Sequence, residues 1–206
     1  MHARSITITG DPASVDAGIA FVRDEVAPVL STFEGCVGLS MLVDRESGES
    51  IVTSAWESEE LMHASAEGLA PIRAHGGEVM GGAPQVDEWE VAVMHRLHNS
   101  TTGSCCRVTW LRLDHAGVDR GIALYRTAML PEMESLEGFC SASLLLNREL
   151  GRACSTTTYS SRAAMDASRD RAWTIRDAGV REAGVDVTDV LECDLVIAHL
   201  RVPELV

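Results

Sequence analysis

The stretch FEGCVGLSMLVDRESG, residues 33–48, returns as LEGFCSASLLLNRELG at residues 136–151, an offset of 103 positions. A fixed-offset echo sets the domain plan before any residue is given a role, because each copy must be one structural unit. The echo runs in both directions. Val15, Asp16, Gly18, Ile19, Ala20, Arg23 and Pro28 recur as Val118, Asp119, Gly121, Ile122, Ala123, Arg126 and Pro131. Downstream, Met62, Ala64, Ser65, Ile72 and Arg73 recur as Met165, Ala167, Ser168, Ile175 and Arg176, and after a one-residue insertion His95 matches His199. The sequence therefore reads as two domains, residues 1–98 and 104–206, joined by the polar run LHNSTTGS at 97–104.

Within the first copy the elements follow from periodicity and punctuation. RSITIT alternates polar and apolar residues, which predicts a strand. Asp11 before Pro12 offers a cap, and Val15, Ile19, Val22, Val26, Val29 and Phe33 keep helical spacing until Gly35. Pro28 inside that pattern predicts a kink, repeated at Pro131. CVGLSMLVD and ESIVTSAWE are strands joined by the hairpin turn RESG. A second helix opens at Ser58, with Glu59 and Glu60 on the positive end of its dipole, and breaks near Gly68 and Pro71. HGGEVMGGAP reads as a glycine-rich loop, and EWEVAVMH as the last strand.

The order βαββαβ gives an α+β unit, a ferredoxin-like antiparallel sheet with both helices on one face. The other face, with Val37, Leu39, Met41 and Val43 or their strand-mates, needs a cover. A second copy of the sheet supplies one. The expectation is two tandem ferredoxin-like domains whose antiparallel sheets pack face to face, an internal pseudo-dimer. Such a chain should be mainly monomeric, with a weak homodimer through edges or helices left open.

Composition narrows the function. The chain is 46% hydrophobic, enough for packed cores, and 17 basic against 31 acidic residues give a formal charge of −14. That surface repels phosphate backbones and anionic headgroups, so neither nucleic acid nor a membrane is an expected partner. Every one of the 17 basic residues is Arg. Without Lys there is no Schiff-base chemistry, no lysine-anchored pyridoxal cofactor and no P-loop lysine. No apolar run of about 18 residues occurs, and MHARSITITGDP has no signal-peptide pattern, so a cytoplasmic location is expected. Six cysteines without a CxxC pair read as reduced. No GxSxG elbow and no HExxH spacing is present, which removes the common hydrolase classes, and no metal site is expected. The acidic WESEEL reads as a capped, solvated helix start.

Histidines and aromatics supply the remaining candidates. His63 falls away from the apolar stripe and reads as solvated, while His95 and His199, at equivalent strand ends, read as structural. His75 follows Ile72 by three residues and is assigned the inward face of a short helical turn, as a core residue or a pocket ligand. Trp56, Trp89 and Trp110 fall on strands, where each either packs in the core or lines a pocket.

WESEELMHASAEG followed by APIRAHGG, within residues 56–77, resembles the third strand and second helix of the antibiotic biosynthesis monooxygenase family, a dimeric α/β barrel group, and its haem-degrading branch above all. The resemblance implies a hydrophobic, often polycyclic or porphyrin ligand between sheet and helices, oxidised in some members by O2 without a flavin. It places His75 within one position of the axial haem ligand. Thr7 and Ser65 stand where the haem-degrading members have an Asn and a Trp, and Asp177 and Ala178 take the ligand position in the second half. Three functions stay open: a cofactor-independent monooxygenase for a hydrophobic or aromatic metabolite, with Thr7, Trp56, Ser65 and Ile72 around the substrate; haem binding or degradation through His75; and a non-enzymatic small-molecule binder. No catalytic residue is assigned.

Overall fold

Asp11 does cap the first helical segment: its carboxylate accepts from the Ala13 N–H at 2.9 Å, ahead of the turn Pro12–Ser14. The computed structural model describes residues 1–100, 103–200 and 203–206. Strand β1 (His2–Thr9) precedes α1 (Val15–Phe21), a π turn (Val22–Val26) and α2 (Ala27–Leu30). The kink expected at Pro28 takes the form of that π turn. Proline has no N–H, and its ring presses on the carbonyl four residues back, which a wider i→i+5 turn relieves. Pro131 repeats the device behind the π turn Tyr125–Met129. Next come β2 (Cys36–Val43) and β3 (Glu49–Trp56), then α3 (Glu59–Ala64), α4 (Ala70–Met80) and β4 (Gln85–Arg96). Ser58 caps α3 by accepting from the Leu61 N–H at 3.3 Å.

One element differs from the sequence expectation. HGGEVM is not loop but the last part of α4, which ends at Gly81 in the left-handed region, φ 75°. Glycine in a helix interior costs about 1 kcal/mol against Ala, and packing outweighs it. A Cβ on Gly76 would lie 3.2 Å from Phe21, so glycine is what lets α4 sit close to its neighbour.

The second half repeats the order with β5 (Cys105–Arg112), α5 (Val118–Leu124), α6 (Leu130–Glu134), β6 (Phe139–Asn147), β7 (Arg152–Tyr159), α7 (Arg162–Ala167), α8 (Arg169–Ala183) and β8 (Asp186–Leu200). The pairs β1–β3, β2–β3, β2–β8, β4–β6, β5–β7 and β6–β7 are all antiparallel. The fold is α+β.

The compact units divide the chain differently from the repeat. Unit 1 is Met1–Trp89 with Cys193–Val202, and unit 2 is Glu90–Glu192 with Pro203–Val206. Both long strands change unit midway, β4 after Trp89 and β8 after Glu192. Hence β8 completes the unit 1 sheet in the order β1-β3-β2-β8, and β4 the unit 2 sheet in the order β5-β7-β6-β4. Residues 101 and 102 of the expected linker 97–104 lie outside the described residues.

Each unit buries a core between its sheet and its helices. In unit 1, Leu39, Met41 and Val43 face the helices and pack with Phe21, Val22, Trp56, Met62 and Met80. In unit 2, Leu144, Leu146 and Ala153 pack with Tyr125, Met133, Phe139, Tyr159 and Met165. Each large apolar side chain buried this way contributes roughly 1.5–3 kcal/mol. No disulfide is formed among the described residues.

Candidate functional site

Strand register determines which side chains share the floor beneath the helices. In unit 2, Arg107, Thr157 and Ala142 form one row across β5, β7 and β6, Thr109, Ser155 and Leu144 the next, and Leu111, Ala153 and Leu146 a third. Period-two alternation puts all of them on one face. Above the floor, α5, the π turn and α8 leave a cavity of about 90 Å³, bounded by these rows except Ala142 and by Tyr125, Met129, Trp173, Arg176 and Ala183. The lining is mostly apolar; Thr109, Ser155 and Thr157 place hydroxyls on the floor, and Tyr125 and Tyr159 add theirs.

Tyr125 reaches down from the π turn. Its hydroxyl lies 3.0 Å from Ser155 Oγ and donates to the Ser143 carbonyl at 3.3 Å. Burial pushes this phenol up to about 12, against the weaker pull of the Ser155 hydrogen bond. Tyr125 is therefore a neutral hydrogen-bonding group and not a base near pH 7. Burial also raises the Tyr159 phenol, in spite of the adjacent Arg107.

Arg107 is only 5% exposed. Its Nε donates to Glu192 Oε1 at 2.9 Å, its Nη1 to the Tyr159 hydroxyl at 3.3 Å and its Nη2 to the Met165 carbonyl at 3.2 Å. The guanidinium also sits 5.5 Å from the centre of the Tyr159 ring. A charge at this depth is tolerated because it is paired and each of its three nitrogens donates a hydrogen bond. At the rim, Trp173 is 40% exposed, with Arg169 at 5.9 Å and Arg176 at 5.8 Å from its ring. Asp114 is the only carboxylate among the described lining residues, and it caps the turn His115–Gly117. Such a chamber can enclose an aromatic body, bond a phenolic or carbonyl oxygen on its floor, and exclude water. Its lining holds no acid–base pair.

Unit 1 repeats the plan with different side chains. Its cavity, about 70 Å³, is bounded by Arg4, Ile6, Ile8, Phe21, Val52, Ser54, Ile72, Gly76 and Met80 among others. Arg4 is the counterpart of Arg107. It pairs with Glu88 at 2.7 Å and donates to Ser65 Oγ at 2.9 Å and to the Met62 carbonyl at 2.8 Å. Burial pushes the Glu88 carboxyl up, but the hydrogen bond and charge of Arg4 more than reverse this and hold it below its ordinary value.

The residues expected at a site are distributed over several places. Ile72 lines the unit 1 cavity. Trp56 is fully buried behind the wall and donates through Nε1 to Ser54 Oγ at 3.0 Å. Ser65 is one layer further out, holding Arg4. Thr7 lies on the opposite face of β1 from Arg4, Ile6 and Ile8, so it does not border the cavity.

His75 does not occupy the inward face either. Leu69, Ile72, Arg73, Gly76 and Met80 form the cavity side of α4, and His75 falls about 100° from Gly76. Its side chain is 52% exposed, with Nδ1 3.1 Å from Glu78 Oε2 and the ring edge-on to Phe21. No histidine or cysteine lines either cavity among the described residues, so these residues do not fit haem held through His75. No group of three or more His, Cys, Asp or Glu placed to hold a metal occurs among the described residues.

Of the other histidines, His63 is solvated beside Glu88, and His95 is enclosed by Glu134 and Phe139. His199 is exposed, so the structural role expected of it is not seen. No helix of the described residues is long and apolar enough to cross a membrane.

The unit 2 chamber carries no motif of its own, so nothing local in the sequence marks it. Its signal lies in comparing the halves at offset 103, where Ile6, Val22 and Val52 become Thr109, Tyr125 and Ser155. Apolar core positions that turn polar in one copy need a partner there.

No family model matches the chain. The fold is shared with solved structures at low identity. A Fusobacterium nucleatum protein named as a candidate monooxygenase superposes with a TM-score of 0.70 at 10% identity, over 97% of this chain and 94% of that one. An anthrone oxidase-like protein gives 0.66 at 18% identity, over 94% and 90%. In sequence, the "Uncharacterized protein Rv2557" of Mycobacterium tuberculosis is 50% identical over 206 residues, all of this chain and 92% of that protein. At that identity and coverage, the chain belongs to the family of Rv2557.

Proposed function

We propose that the chain is a small-molecule monooxygenase of the antibiotic biosynthesis type, a tandem duplication whose ligand chamber lies in the second unit, acting on a hydrophobic aromatic metabolite with O2 and no resident cofactor. The observation that carries this reading is the hydroxyl pair Thr109–Ser155 on the floor of a mostly apolar cavity. A flat hydrocarbon body gains from the apolar walls, and a single oxygen substituent is oriented by the floor. With no acid–base pair in the lining, the protein contributes orientation and desolvation to a substrate that is itself reactive toward oxygen. For an anthrone-like ring methylene, the balance is CH2 + O2 → C=O + H2O, one oxygen atom entering the product and the other leaving as water.

Anthrone itself is the probe, since one fold neighbour is named for its oxidation. Oxygen uptake above the spontaneous rate, with label from 18O2 in the quinone carbonyl and a fall of at least about tenfold in the Thr109→Val/Ser155→Ala double variant, is the expected result. A second reading, a binder without turnover, is favoured by the missing acid–base pair. It would be established if anthrone quenches Trp173 fluorescence but oxygen uptake stays at the spontaneous rate.

A further inference from the structure

The two chambers also differ at one roof position. Met80 ends α4 in unit 1, and its counterpart at offset 103, Ala183, ends α8 in unit 2. In unit 1 the thioether chain lies against Gly18 of α1, where a Cβ would meet Met80 Cγ and Cε at 3.0 Å. In unit 2 the same point on α5 is Gly121, where a Cβ would meet nothing within 4 Å. The space a methionine fills in one copy is open in the other. Met80 is buried, and the end of α4 is tied down by the Asp11 N–H donating to its carbonyl at 3.1 Å. Methionine is suited to plugging irregular gaps. An unfilled apolar gap beneath a helix is destabilising, so an open one has to be explained. The open space and the floor hydroxyls are independent differences, and both fall in unit 2.

We propose that the position shared by Met80 and Ala183 is a size gate: Ala183 keeps open the α5–α8 mouth of the unit 2 chamber, and Met80 plugs the matching mouth in unit 1. The chain then takes one aromatic ligand, in unit 2. A methionine at 183 closes that chamber, and an alanine at 80 opens a second. The inference rests on the aromatic-ligand reading for the identity of the occupant, but not for the existence of the gate.

Two readouts on the full chain separate the two ideas. Titration calorimetry with 2-naphthol should give one equivalent for wild type, at least tenfold weaker binding for Ala183→Met, and a second equivalent for Met80→Ala. Crystals under xenon pressure should show xenon in the unit 2 chamber of wild type, none there in Ala183→Met, and a new unit 1 site in Met80→Ala. If Ala183→Met fails to fold, the gain of a site in Met80→Ala decides the matter. The expected xenon pattern without naphthol binding would retain the gate and remove the ligand reading. Equal xenon occupancy of both chambers in wild type, two naphthol equivalents in wild type, or no new site in Met80→Ala would overturn the gate.

Discussion

Tyr125 shows what one substitution between halves can do. Its counterpart is Val22, a core residue with nothing to titrate, whereas Tyr125 carries a phenol that burial pushes up to about 12. An unfolded tyrosine titrates near 10. Above that pH the unfolded chain loses a proton that the folded chain keeps. The stability tied to this group is thus complete below about pH 10 and declines as pH rises toward 12, by roughly 1.4 kcal/mol per pH unit. Tyr159 is shifted the same way, and the chain has only these 2 tyrosines. Absorbance at 295 nm at pH 10.5 should therefore show less tyrosinate in the native protein than in urea, where more than half is ionised. Ionisation of a full tyrosine near pH 10 in the folded protein would contradict the burial.

At the scale of elements, β4 and β8 carry the most consequence. Each begins in one compact unit and ends in the other, so each unit holds a strand supplied by the opposite half of the sequence. Unit 1 loses β8 if the second half is removed, and unit 2 loses the end of β4 if the first half is removed. A protease site inserted after Ser100 and then cut should leave two fragments that co-elute at the mass of the intact chain and separate only in denaturant. Fragments that part in native buffer would mean that each half folds on its own strands. Helix α4 adds a lesson about glycine. HGGEVM reads as a loop by composition, yet Gly76 and Gly77 lie inside the helix, where a Cβ on Gly76 would crowd Phe21 at 3.2 Å and one on Gly77 would meet the Gly82 carbonyl at 2.8 Å.

For the whole molecule, one chain already carries both copies of the unit, and its net charge of −14 sets like molecules against each other. We propose a mainly monomeric protein. Light scattering at low micromolar concentration and moderate salt should give the mass of one chain, 22.2 kDa, and a stable dimer would refute the proposal. The sequence by itself determined the strands, most of the helical segments and their order. Alternation, helical spacing, the Asp11 and Ser58 caps and the positive-φ glycines at 35, 48, 138 and 151 are local signals, written in neighbouring residues. It also carried the offset of 103 that makes each residue of one half comparable with one of the other. Only the tertiary structure decided that His75 faces solvent, that Thr7 turns away from the cavity, and that the halves exchange their last strands. These depend on how a helix is rotated on its sheet and which strand a long strand joins, and a motif carries neither. The chamber in unit 2 is built from residues as far apart in sequence as Thr109 and Ala183. Its existence is a property of packing, space left open among lining residues that include Gly121 and Ala183, neither with a side chain large enough to fill it.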